Sequence, residues 1–218
     1  MSERRLIPLF PLGSVLVPGL VLPLHIFEPR YRRLLDDLAL LPEDDRGFGV
    51  VAIRDGHEVG TDGVRALHEV GTIASLREVD THEDGRSDIV TVGTDRFRIH
   101  ALNDELPYLR AEVDILDEAS GDAASALGEA VTDAFTAYRS IFTDVDDEDL
   151  PDDPRVLSYL VAAAVVAELP MRQEFLTASD DTHRLRDELS FLRREIAVIE
   201  AIPSLPAVDL VREQSSPN

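Results

Sequence analysis

Between Arg4 and Tyr31 the chain reads RRLIPLFPLGSVLVPGLVLPLHIFEPRY: two arginines, about twenty residues without a charge, then a charged exit. The run is long enough for one membrane-spanning helix, which needs about 20 apolar residues, and an arginine pair before an apolar run is how an export signal begins. The prolines exclude the helix. Pro8, Pro11, Pro18 and Pro23 stand three to seven residues apart, and each interior proline removes a helical donor at a cost of about 3 kcal/mol or more. Backbone groups left unpaired in lipid are expensive, so a segment that cannot be helical cannot cross a bilayer alone. LHIFEPRY also lacks the small-residue cleavage site of an export signal. The segment therefore predicts extended runs at Ser14–Val17 and Leu20–Leu24, a turn at Pro18-Gly19, and prolines placed at strand edges.

Downstream, the pattern predicts a helix from Pro29, with Tyr31, Leu34, Leu35 and Leu38 on one face, fading near Leu41-Pro42. Strands are expected at Phe48–Ile53, Val70–Val79, Asp88–Ala101 and Tyr108–Leu116, with Asp55–Gly63 as loop and Asp84-Gly85 turning a hairpin. Within the second arm, Phe97 and Ile99 alternate with Arg96, Arg98 and His100, which predicts one buried face and one wet face.

Beyond about residue 118 the period changes to that of helices. One is expected over Ala123–Phe142, and a second starts with Asp153 as cap and Pro154 in the first turn, apolar nearly all round. Leu169-Pro170 is read as its end, Met171–Leu176 as a short helix, and Asp181-Thr182 as the start of a last long one, striped by Leu185, Leu189, Leu192, Ile196 and Ile199. The expected organisation is α+β: residues 1–118 β-rich with one helix, 119–203 helical, 204–218 a loosely held tail.

Composition matters most for what it forbids. The chain contains no cysteine and no lysine, so all 21 basic residues are arginines against 43 acids, a formal charge of −22. Without cysteine there is no disulfide framework, thiolate site or thiol nucleophile, and a reducing cytoplasmic compartment suits the chain. Without lysine there is no Walker A loop, Ser-Lys dyad or Schiff base. The negative charge opposes nucleic acid and anionic membrane surfaces. His25 and Glu28 stand three apart, but Pro29 puts them ahead of the helix, which favours a structural role over a metal pair. His57-Glu58, His68-Glu69 and His82-Glu83 are adjacent pairs whose side chains diverge on a strand. The acids of 144–153 lack the glycine and the last bidentate acid of a calcium loop, which leaves a solvated linker with at most weak cation binding. No catalytic residue, cofactor site or metal site is expected.

IPLFPLGSVLVPGLVLPLHIFEPRYRRLL, followed by VGTIASLREVDTHEDGRSDIVTVGTDRFRI and by DPRVLSYLVAAAVVAELPMRQEFLTASDDTHRLRDELSFLRREI, resembles the Lon N-terminal domain, also called the Lon substrate-binding domain, in its stand-alone bacterial form. The resemblance runs from about Arg5 to Ile202. It implies an N-terminal PUA-like twisted-sheet pseudo-barrel carrying one helix, then a C-terminal helical bundle. In Lon proteases this domain selects polypeptide substrates for the ATPase and Ser-Lys peptidase that follow, so a non-enzymatic protein- or peptide-binding module is expected. The candidate contacts are Glu28, Arg30 and Arg33 at the start of the first helix, with Val17, Pro18 and Leu20 as an apolar anchor. The alternative for the charged group is that Glu28 and Arg30 merely pair with each other. Two further functions stay open: RNA binding, as PUA-like barrels often do, which the charge opposes, and hydrolysis by carboxylates in a sheet-to-bundle cleft, for which no pair of acids stands out.

Overall fold

The computed structural model describes residues 4–56, 64–118, 120–121, 123–142 and 150–201. The proline-segmented opening forms two strands, β1 (Arg5–Leu12) and β2 (Val21–Ile26), ahead of α1 (Pro29–Ala39). Then come β3 (Gly47–Gly56), β4 (Val64–Leu67), β5 (Val70–Thr81), β6 (Ser87–Asn103) and β7 (Arg110–Ile115), followed by α2 (Ala124–Ser140), α3 (Pro154–Ala164), α4 (Leu169–Thr177) and α5 (Asp181–Ala201). This is an α+β architecture.

β1 changes partner halfway along. Arg5–Pro8 pair antiparallel with β7, and Leu9–Leu12 pair parallel with β3. Together with the β7–β6, β6–β5 and β5–β3 ladders this closes a ring of five strands, with β2 attached to β6 and β4 to β3. The half-and-half pairing explains how the strand tolerates its prolines. The Leu9 N–H donates to Leu109 on the β7 side, and backbone groups alternate sides along a strand, so Pro11 turns its missing donor toward the β7 side after that ladder has ended. Pro8 faces the β3 side one residue before the β3 register opens. In β2, Pro23 faces the outer edge, since Leu20 accepts from Gly93 on the inner one and β2 pairs with β6 alone. Every strand proline thus sits where no ladder bond is lost.

Ser14–Val17 departs from expectation: it is a buried loop, while the strand lies earlier, at β1. Val15, Leu16 and Val17 are all buried because the loop crosses β6 at Gly93, whose N–H and C=O bond to Leu20 and Gly19 at 2.9 and 2.8 Å. A Cβ at Gly93 would stand 2.3 Å from the Val17 carbonyl oxygen. The expected Pro18-Gly19 turn is present, with Gly19 at φ +83. β4 was not foreseen; most of the adjoining glycine-rich loop, with His57-Glu58, lies outside the described residues, as do residues 144–149 of the acidic run and the tail.

The helices follow their start signals. Pro29 opens α1, which buries Tyr31, Leu34 and Leu38 against Phe10, Phe48 and Val50. Asp153 caps α3, accepting from the N–H groups of Arg155 and Val156. Leu169-Pro170 begins α4 rather than ending α3, which stops at Ala164; a proline fits a first helical turn as well as it ends a helix. α5 buries Leu185, Leu189 and Leu192 as its stripe predicts. The largest apolar cluster joins both parts of the molecule: Val15, Val17, Ala52 and Val70 from the strand side meet Phe135, Leu157 and Leu185 from the helices.

Candidate functional site

A cleft of about 620 Å³ lies where α3 faces the ring. One wall is the Pro18-Gly19-Leu20 turn with Thr94 and Asp95 of β6; the other is a face of α3, from Val156 through Tyr159 and Leu160 to Ala163 and Ala164. Those α3 positions recur at helical spacing, so one stripe of the helix stays open to the cleft while Leu157, Val161 and Ala162 are buried behind it. α3 is therefore not sheathed all round. Val156, 47% exposed, stands uncovered, and Ala163 and Ala164 keep the wall shallow enough for a guest side chain.

The cleft's floor is polar. Glu118, just after β7, is paired with Arg96 of β6 at 2.5 Å and with Arg184 of α5 at 3.6 Å, and it accepts the Tyr159 hydroxyl. Arg96 was expected on a wet face, but it is 2% exposed. It donates to the carbonyls of Leu176 and Ala178, at 2.7 and 2.6 Å, the end of α4 and its cap. Arg184, fully buried, donates to Phe175 and Ser158, each at 3.0 Å, and its guanidinium lies 3.9 Å from the Tyr159 ring centre. Burial pushes the Tyr159 hydroxyl pKa up, with the Glu118 hydrogen bond adding to it. One turn along α5 from Arg184, Glu188 is fully buried with neither carboxyl oxygen hydrogen-bonded. Burial pushes its pKa well up, against the opposing pull of Arg184.

The six residues singled out from the sequence divide between places. Pro18 and Leu20 line the cleft, and Val17 lies buried behind them. Glu28 lines a separate, smaller pocket beside Phe27 and Tyr31 and pairs with Arg30 at 3.1 Å. Arg33 pairs with Asp37 at 3.0 Å, and Asp37 also accepts from Tyr108 at 2.8 Å. Burial, with that bond second, pushes the Tyr108 pKa up to about 12. His25 contacts Asp88 at 2.6 Å, and His82 contacts the other oxygen of the same carboxylate at 2.7 Å; these bonds hold Asp88 below the usual carboxylate range. Among the described residues no group of three or more histidines and acids could hold a metal ion, and no helix is long and apolar enough to cross a membrane.

The family model described as the ATP-dependent protease La (LON) substrate-binding domain matches residues 6–194. The chain belongs to this family. As a Lon substrate-binding domain it is 29% identical over 209 residues to the Lon protease of Escherichia coli K12, covering 91% of this chain and 26% of that protein. Lon protease 2 of Myxococcus xanthus is 28% identical over 207 residues, covering 90% and 24%. The chain thus spans about a quarter of the length of these relatives. Among solved structures, the Lon N-terminal domain protein from Xanthomonas campestris superposes with a TM-score of 0.63 at 25% identity, covering 85% of this chain and 98% of that one. The N-terminal domain of a Mycobacterium avium complex Lon protease superposes at 0.64 and 19% identity, covering 87% and 98%, a likeness of fold. The similarity is to the substrate-binding part of Lon, and on it the sequence signal that pointed to the cleft was the Pro18-Gly19 turn. The sequence presents α3 as apolar nearly all round, which does not reveal which of its stripes lacks a neighbour.

Proposed function

We propose that this Lon substrate-binding domain is a non-enzymatic module of the cytoplasm that recognises polypeptide segments by taking an apolar side chain into the cleft between the ring and α3. The open stripe of α3 opposite Pro18 and Leu20 carries the reading: an uncovered apolar wall facing a second apolar wall is what a guest side chain requires. In this reading the ring is a PUA-like pseudo-barrel over residues 1–118, the helices form a bundle over 119–203, and the cleft is the seam between them. Glu28, Arg30 and Arg33 form a secondary contact at the start of α1, with their ion pairs as the competing role. Glu118 is engaged by two guanidiniums and a tyrosine hydroxyl, which suits a fixed scaffold better than a proton carrier in hydrolysis. The charge of −22 opposes RNA.

Burying a leucine-sized side chain contributes about 1.5–3 kcal/mol. Filling the cleft with Ala163→Trp should therefore weaken binding of a fluorescent, chemically unfolded reporter polypeptide by about tenfold or more, and Val156→Gln, at an exposed position, should weaken it less. Anisotropy titrations in which both variants bind like the wild type would remove the cleft from consideration. Unchanged binding by Arg30→Glu would retire the secondary contact.

A further inference from the structure

The strand-side wall of the cleft contains a break in the sheet. Along β6 the register with β5 passes from Gly93↔Ala74 to Arg96↔Thr72, so Thr94 and Asp95 together oppose a single residue, Ile73. On the other side, the β2 register ends at Val92 and the β7 register begins at Phe97. Thr94 and Asp95 thus fall outside the regular registers with β2 and β7 and share one residue of β5, which is the local geometry of a bulge. Both residues line the cleft. A bulge holds one extra residue outside the regular ladder, and main-chain groups so placed at a cleft wall are complementary to an extended guest main chain, which offers donors and acceptors at strand spacing.

Charge narrows the guest further. Asp95 is exposed and pairs with no cation among the described residues. It stands in a chain of formal charge −22, whose field draws cationic segments toward it. Among the described residues, the one basic residue lining the cleft is Arg155, in the first turn of α3 on the opposite wall. A guest with a run of bases would meet Arg155, and a guest with an acid beside its apolar residue would meet Asp95.

We propose that the cleft selects extended segments in which one large apolar residue adjoins a single lysine or arginine, an inference that rests on the cleft being the binding site. The apolar side chain lies between Leu20 and Val156, the main chain runs along the Thr94–Asp95 bulge, and the base pairs with Asp95.

Anisotropy titrations of the full chain with three fluorescein-labelled peptides of equal length test it: leucine beside arginine, leucine beside glutamate, and serine beside arginine. The leucine–arginine peptide should bind about tenfold tighter than either other at low salt, and its advantage over leucine–glutamate should shrink at about 0.5 M salt. Asp95→Asn should abolish the preference for arginine over glutamate, and Arg155→Ala should strengthen the leucine–arginine complex by about two- to fivefold. Equal binding of the arginine and glutamate peptides, or a preference that survives Asp95→Asn, overturns the selectivity and leaves the cleft standing. Binding that neither Ala163→Trp nor Val156→Gln weakens overturns the cleft itself, as does failure of all three peptides to bind. Val156→Gln keeps the test decisive should Ala163→Trp fail to fold.

Discussion

Buried polar groups are handled differently in the ring and at its junction with the helices. Inside the ring they are hydroxyls that settle on nearby carbonyls, as Thr72 does on Leu16 at 2.7 Å and Thr91 on Leu22 at 2.9 Å. At the junction they are charges or amides that cross between the two parts: Arg96 to the end of α4, Arg184 and Arg96 to Glu118, and Gln173 to Val70 at 3.0 Å. Backbone ladders already specify how strands meet, whereas helices could pack on the ring's apolar surface in many registers. Long side chains that satisfy particular carbonyls single out one of those arrangements. The junction is where specificity is written in charge.

The strongest way to break this contrast is Arg96→Leu. It takes from Glu118 its closer guanidinium and from the Leu176 and Ala178 carbonyls a shared donor, and removal of one partner of a buried ion pair destabilises by about 3–5 kcal/mol, read as a lower urea midpoint. If the pair serves specificity more than stability, the double variant Arg96→Leu, Glu118→Leu should recover much of that loss. An equally unstable double variant would assign the pair a stabilising role instead. The ring's counterpart is Gly93→Ala, where the added Cβ meets the Val17 carbonyl. Overpacking of this kind costs about 1–3 kcal/mol, and thermal melting should show it with no dependence on pH.

Glu188 sharpens the comparison through pH. Its folded pKa lies above its unfolded one, so the folded state holds the proton more tightly. The associated stability is present in acid and is lost as pH rises from the ordinary carboxylate range through the folded pKa. Glu188→Gln should flatten that decline and melt higher than the wild type at pH 8, and parallel profiles for the two proteins would contradict the buried, neutral carboxyl. Smaller effects belong to the helix ends and surfaces. Asp153→Ala, which removes the α3 cap, should cost about 1 kcal/mol, and Arg33→Ala, in an exposed pair, under about 1 kcal/mol by denaturant titration.

Local chemistry was legible in the sequence at several of its starts and turns. Pro29 and Pro154 start helices, Pro18-Gly19 and Asp84-Gly85 turn, and the stripe of α5 is buried where its spacing places it. Partnership across long separations was not legible. Arg96 looks like the wet half of an alternating strand because its acceptors lie 80 and 82 residues further on. β1 escaped notice because its prolines argue against a strand until the change of partner at Leu9 is known. The cleft was half visible: its turn could be read directly, but its helical wall depended on knowing which stripe of α3 no other described residue covers.

The two-partner strand β1 also sets a timetable. Its parallel neighbour β3 emerges from the ribosome soon after it, but β7, which completes the ring, follows about a hundred residues later, some 5–20 s at about 5–20 residues per second. Throughout that interval a nascent apolar strand stands with one side unsatisfied, the state in which newly made chains stick to one another. Two of the prolines that keep this stretch out of a membrane, Pro8 and Pro11, sit on that same strand, and by withholding donors they leave a stray strand less to join. They guard the chain during its synthesis as well as shaping the finished fold.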